Sequence, residues 1–450
     1  MSDPHSPREI DHAIRRLALP SLATLIVEPL LVAVDTTMVG WLGTNPLAGL
    51  ALASTIVMTI VGVCVFLSFA TTAATARAVG SNRHTQALRH GIDALWIAAV
   101  LGAAITTTLE LAASPILSWF HPTAAVHTQA LQYIQACAWG VPAMLIVYAA
   151  TGTLRGFADT RTPLIGVTIA ASVNVPLNAL FIYVFHCGIS GAGYGTAIAQ
   201  SLMAFLLCRA IIRLRNLHAP KLSLMPTGAG VLRSVRAAIP LIIRTLCLRG
   251  ALMLHISAAT ALGTTALAAN QIVMTVWNFS AFGLDAIATA AQILVGQNLG
   301  SGQYQRVHGI LHRCMRYALR TGIILGIVLI GGSLVIPSIM TNDPAVSWLA
   351  TRTMWVTSAT LPIAALAFML DGVLMGAGDT RPLAGYMLAA LAVFTPIALL
   401  FIGPARSWAS AGLLWLWMGY AVVFMGIRAL TMIYRVHGTQ WMHPENNQLT

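Results

Sequence analysis

The chain has 450 residues, of which 57% are hydrophobic and only 8% charged, with a mean hydropathy of +0.79 and a formal charge of +12. Ordinary soluble domains carry about 25% charged residues, so this composition excludes a water-soluble globule and predicts an all-α polytopic membrane protein. The excess base is arginine with a single lysine, Lys221. Its confinement to particular loops, described below, argues for orientation in a bilayer and against a nucleic-acid partner.

Residues 1–12 are polar and of mixed charge, and the apolar run that follows is too long for the core of a cleavable signal. The first helix is therefore expected to serve as its own insertion signal. A bilayer core takes about 20 apolar helical residues. Twelve spans are predicted at about 13–41, 48–76, 88–113, 127–155, 163–185, 190–214, 233–260, 265–297, 308–338, 346–376, 382–403 and 408–435.

Ionisable residues inside spans are costly, at roughly 2.5–3.5 kcal/mol for Asp, Lys or Arg at the bilayer centre, so each one points to a cavity or a partner. Span 1 carries Thr24, Glu28 and Asp35 on one helical face, one turn after Pro20, which removes a backbone hydrogen bond and is expected to bend the helix. Glu28 and Asp35 are the candidate ion-coupling acids. Tyr133 in span 4, Asn174 and Asn178 in span 5, and Thr196 and Gln200 in span 6 are polar candidates for the same cavity. The two amides lie four apart with Pro176 between them, and serve equally well as ligand contacts or as glue between helices. Asp93 and Glu110 lie near span ends, within reach of the interface.

Residues 215–232 form the longest polar connection and are expected to tether two lobes, 1–214 and 233–450. Span 7 places Arg244 and His255 on one face, with Arg249 turned about 120° away and expected to pair with another helix. His255 reads either as a cavity residue or as a neutral core histidine. Asp285 in span 8 and Asp371 in span 10 are further second-lobe cavity candidates, and either can neutralise an arginine in a structural pair.

The two halves repeat each other in a register of 220 residues. Pro20 answers Pro240, Leu42-Gly43 answers Leu262-Gly263, Pro142 answers Pro362, and the turn Gly156–Arg161 answers Gly376–Arg381. The Asp159-Thr-Arg and Asp379-Thr-Arg triplets in these turns are expected to cap helices and pair locally. A same-sense repeat in a membrane protein predicts two six-helix lobes related by pseudo-two-fold symmetry about the membrane normal. Twenty-one of the 25 basic residues fall in the tails and the loops after even-numbered spans, whereas the opposite loops hold Arg352 and Arg406. By the positive-inside rule both termini face the cytoplasm. The six cysteines lie scattered through apolar segments and read as buried thiols, not as a disulfide framework or a metal site. No HExxH, nucleophile elbow or Cys/His cluster is present, and His308 and His312 sit among arginines as solvated side chains. No enzyme, metal or cofactor is predicted.

The chain resembles the multidrug and toxic compound extrusion (MATE) family over essentially its whole length. The resemblance rests on Pro20, VDTTMVGWLG at 34–43, the G-x-x-D-T-R turns, and LVGQNLGSG at 294–302. AFGLDAIATAAQ at 281–292 and LDGVLMGAGDTR at 370–381 are similar to the DinF-like branch. The resemblance implies secondary active export of small organic, often cationic, compounds against an inward flow of protons or sodium ions. It places the coupling acid on Asp35, the kink proline on Pro20 and a first-lobe polar cluster on Tyr133, Asn174 and Thr196. Where some relatives carry a second acid in span 5 this chain has Asn178, and where others carry a sodium-binding acid in span 7 it has His255; both departures favour H+ over Na+. A monomer in the plasma (inner) membrane is expected. The alternatives are a flippase of lipid-linked precursors and an exporter of organic anions, both suggested by Arg244.

Overall fold

In the computed structural model the chain is described over residues 7–404 and 408–443, and every regular element among them is a helix. Arg406 lies outside the described residues. In chain order the helices are α1 (Pro7–Gly40), α2 (Thr44–Val63), α3 (Phe66–Gly80), α4 (His84–Ser118), α5 (Ala124–Ala138), α6 (Val141–Gly156), α7 (Arg161–Ala179), α8 (Ile189–His218), α9 (Gly228–Ala261), α10 (Thr264–Gly300), α11 (Tyr304–Gly332), α12 (Ile336–Met340), α13 (Pro344–Ala377), α14 (Thr380–Ile402), α15 (Ala409–Met418) and α16 (Met425–His437). Wide π turns, Leu180–Val184 and Gly419–Phe424, extend α7 and join α15 to α16. Among the described residues eleven helices are long and apolar enough to cross a bilayer, or twelve when the bent pair α5–α6 counts as one.

The observed limits fall within a few residues of the predicted spans, but some spans are not single rods. Span 2 breaks at Cys64-Val65 into α2 and α3. Span 4 breaks before Pro142 with a 49° bend between α5 and α6. Proline supplies no N–H to the preceding turn, and Gly140 leaves room for α8, whose Ala197 backbone a side chain there would strike. The second-half counterpart, Pro362, sits inside an unbroken α13. There the Thr360 hydroxyl donates to the carbonyls of Val356 (3.1 Å) and Thr357 (2.8 Å) and holds the turn helical.

Packing divides the chain into two compact units, Ala23–Ala238 and Met1–Leu22 with Ile239–Thr450. The divisions cut α1 and α9 within two residues of Pro20 and Pro240. The connection at 215–232, expected as a tether, lies wholly inside the first unit. The cause is local bonding. Asp93, expected to reach the interface, is fully buried and accepts from the Thr227 N–H (3.1 Å) and hydroxyl (3.1 Å). Arg89 donates to Met225 O (2.6 Å), Trp96 to Leu224 O (2.8 Å) and Arg215 to Leu222 O (2.7 Å), so the segment is strapped onto α4 and α8.

The repeat seen in sequence recurs in backbone geometry. Gly43 and Gly263 precede α2 and α10 at φ 122° and 111°; Asn82 and Gly302 precede α4 and α11 at 59° and 72°; Ala158 and Gly378 precede α7 and α14 at 61° and 83°. Each pair differs by 220 positions. Helix contacts repeat as well. A side chain at Gly102 would collide with Pro142 and one at Gly322 with Pro362, while Gly152 meets the Ser68 carbonyl and Gly372 that of Ala288. Backbones this close exchange dispersion along their whole length, the usual means of holding helices together in lipid.

The two Asp-Thr-Arg turns diverge. Asp159 caps α7, accepting from the N–H groups of Arg161 (3.1 Å) and Thr162 (3.0 Å). Asp379 instead pairs with Arg435 of α16 at 2.7 Å, a distant partner where a local one was expected. His308 and His312 are exposed, as read. The cysteines are free; Cys187 is exposed in the loop before α8, unlike the buried thiols expected throughout.

Candidate substrate and ion site

In the first unit α1 and α7 bring three polar side chains together. Asn178 Nδ2 donates to Asp35 Oδ1 at 2.7 Å and to Asn174 Oδ1 at 3.2 Å. Both amides are buried (0% and 3% exposed) while Asp35 is half-buried, so the carboxylate stands at the edge of the cluster. The four-residue spacing stacks the amides on one face of α7, and Pro176 points elsewhere. The Asn178 carbonyl faces α8 at Gly195, where any side chain would strike it. Gly195 therefore leaves the room that the amide occupies, and the carboxylate of Asp35, an acceptor, calls for its NH2 end. Gly193, two residues earlier, lets α8 touch the α5 backbone at Tyr133 and Cys137. Tyr133 is buried beside Cys137 and Thr196, within electrostatic range of Asp35. Gln200 lies half-buried on the same helix as Thr196.

Other predicted members stand apart. Glu28 lies two turns from Asp35, exposed, and makes no ion pair or side-chain hydrogen bond among the described residues. Pro20 is about 22 Å along α1 from Asp35 at 1.5 Å per residue, half-buried in a helix that runs on through it. The sequence reading missed Tyr183. It sits in the π turn after α7 and donates its hydroxyl to Met38 O at 2.8 Å, tying the far end of α7 to the turn after Asp35. The Pro176 interruption, with its local change of pitch, was the available signal.

The second unit is built differently. Asp371 Oδ2 accepts from Arg244 Nη2 and from Arg428 Nη2, both at 2.6 Å, and all three side chains are buried. Asp371 is thus the counter-charge that Arg244 requires, and as a cavity candidate it is enclosed between two guanidinium groups. Arg428 is one of the basic residues counted in the tails. It is 1% exposed, and its guanidinium also lies 5.6 Å from the ring centres of Phe368 and Phe424. Arg249 is exposed and forms no ion pair among the described residues, contrary to the pairing expected of it. Asp285 is half-buried on α10. His255 is fully buried: Nε2 lies 3.0 Å from Asn270 Oδ1, which also accepts from Trp417 Nε1 at 2.9 Å. Trp417 and Tyr420 meet its ring edge-on at 4.6 and 5.3 Å. This is the environment of a hydrogen-bonded core histidine.

One half of the molecule therefore offers a carboxylate at the edge of an amide cluster, and the other encloses its acid between arginines. A family model described as MatE matches residues 20–180 and 240–427, two segments that begin 220 residues apart. DNA damage-inducible protein F of Escherichia coli (strain K12) is 27% identical over 439 residues, 95% of this chain and 92% of that protein. Protein DETOXIFICATION 43 of Arabidopsis thaliana is 30% identical over 315 residues; the match takes in 70% of this chain but only 58% of the plant protein. Among solved structures, a mutant of the Vibrio cholerae MATE transporter VcmN superposes with a TM-score of 0.88 at 18% identity, covering 97% of this chain and 99% of the other.

Proposed function

Because the chain belongs to the MATE family of membrane transporters, we propose that it exports lipophilic organic cations in exchange for protons, by alternating access, with Asp35 as the coupling acid. The observation that carries this reading is the Asn178–Asp35 hydrogen bond with Asn174 behind it. An ionised Asp35 offers an organic cation one full charge in a low-dielectric setting, where such an attraction is strong. A proton reaching Asp35 from outside removes that charge and turns part of the acceptor into a donor facing the Asn178 N–H. Substrate is released and the cluster rearranges. The driving force is adequate, at about 1.4 kcal/mol per pH unit and about 2.3 kcal/mol per charge per 100 mV.

Two features support protons over sodium. The residue beside Asp35 is an amide, so a metal ion would find one carboxylate there and not two. In the second unit position 255 is a buried histidine, and Asp371 is occupied by Arg244 and Arg428. The same pairing supports a structural role for Arg244 over the anion-export and lipid-precursor alternatives. The arginine distribution supports a cytoplasmic location for both termini, in the cell membrane, and a single chain carries all the residues of the site.

The test is transport by purified protein in liposomes with pH and sodium gradients imposed separately. Cation export is expected with the pH gradient alone and is expected to be lost in Asp35→Asn, with membrane insertion and thermal stability retained. Equal export driven by sodium at zero pH gradient would overturn the proton assignment. Movement of organic anions or lipid precursors, with no cation export, would overturn the substrate class.

A further inference from the structure

At the arginine-rich end of the first unit, a cavity of about 620 Å³ opens between the start of α4, the end of α8 and the strap that follows α8. We propose that it is a binding site for a phosphoryl group carried on a small organic moiety, separate from the transport site and independent of the reading given above.

The lining is cationic and polar. Arg83, His84 and Arg89 come from α4 and its approach, His218 from the last residue of α8, and Thr85 and Gln86 add side-chain hydrogen-bonding groups. Among the described residues no carboxylate lines it. Asp93 is the i,i+4 ion-pair partner of Arg89 at 4.0 Å but is turned to Thr227. His84 and His218 stack face to face at 4.8 Å, with Phe157 stacked against both at 6.1 and 6.2 Å. Stacking of this kind orders the two imidazoles. The Nδ1 of His84 is buried and has no hydrogen-bond partner. The first turn of α4 adds the partial positive charge of a helix start. Arginine and imidazole donors around an open hollow match the acceptor-rich, doubly charged face of a phosphate monoester. The volume is larger than a bare phosphate needs and suits a glycerol-sized substituent.

The lining differs from the matching turn of the other half. In the 220-residue register Arg83, His84 and Arg89 correspond to Gln303, Tyr304 and Gly309, while Gln86 corresponds to Arg306, so the repeat has kept the turn and changed the number and place of its charges. Its wall is also the segment that leads into α9. Arg89 lines the cavity and donates to Met225 O, and Leu222 lines it and accepts from Arg215. An anion held by Arg83 and His218 would fasten the end of α8, where the strap begins, to the start of α4.

The phosphoryl group can belong to a free metabolite or to a lipid headgroup, and two measurements separate them. The first is calorimetric titration of the purified protein with inorganic phosphate and with glycerol 3-phosphate, against chloride at matched ionic strength. The second is mass-spectrometric retention of phosphatidic acid by protein released from phosphatidylcholine nanodiscs with and without that lipid. Saturable binding in the first identifies a soluble ligand; retention in the second alone identifies a headgroup. Arg83→Gln and His218→Gln are expected to weaken the positive signal about ten-fold each, the effect of removing one charge-assisted hydrogen bond. Arg83 is exposed with no side-chain bond among the described residues, so its replacement leaves the fold intact. Absence of both signals in the wild type, or equal binding by wild type and both variants, would overturn the proposal.

Discussion

Asp35 takes its character from neighbours that the chain reaches only by folding. Asn178 arrives from 143 residues away and its carbonyl lies against Gly195, so a glycine without chemistry of its own leaves the room in which the amide reaches Asp35. Gly195→Ala is expected to push the Asn178 amide off Asp35. Overpacking of this kind typically costs about 1–3 kcal/mol, so the variant should still insert and purify while gradient-driven export falls sharply. Normal export at unchanged protein level would show that Asn178 is merely helix glue. Asn178→Ala, which removes the donor directly, should lower export about ten-fold or more, the scale of one hydrogen bond to a charged group. Asn174→Ala, one bond further from the carboxylate, should cost less, and liposome assays of the two side by side give the order. Neither amide could be assigned from its own position: the four-residue spacing fits a ligand pair and a helix contact equally well, and only the distance to Asp35 distinguishes them.

At the level of helices and connections, glycine and proline decide what the hydrophobic pattern leaves open. Hydropathy places the spans because the bilayer demands apolar length, yet it does not reveal that α5 and α6 bend at Pro142 while α13 runs straight past Pro362. That difference rests on Gly140 against Thr360, whose hydroxyl bonds backbone carbonyls of the preceding turn. Gly102 and Gly322 share one duty, admitting a proline from a neighbouring helix at backbone contact. Gly102→Leu and Gly322→Leu should each lower the thermal midpoint of the purified protein by several degrees, as expected for about 1–3 kcal/mol of overpacking. The strap offers a second check. Asp93→Ala leaves the Thr227 N–H and hydroxyl without their acceptor, and cleavage by trypsin at the exposed Lys221 should become faster than in the wild type. Equal cleavage rates would mean that Arg89, Trp96 and Arg215 hold the segment without Asp93.

Across the whole molecule the two halves share one backbone plan and differ in charge. In the second, Arg244, Asp371 and Arg428 form a buried cluster, and removing one partner from such a cluster typically costs about 3–5 kcal/mol because it strands the others. Arg244→Met should therefore reduce stability strongly, and Asp371→Asn more so, since it leaves two guanidinium groups facing each other. A double-mutant cycle on thermal stability would show coupling between positions 244 and 371, and additive effects would contradict the pairing. The number and place of the spans, the repeat and the family were all legible in the sequence. Each depends on composition or local periodicity. The partners were not legible. Arg428 looked like a tail residue, Asp93 like an interfacial acid and residues 215–232 like a tether between two lobes, because burial and long-range hydrogen bonds follow from which helices pack together. That packing is set by steric fit between distant backbones, which neither hydropathy nor spacing along one helix encodes.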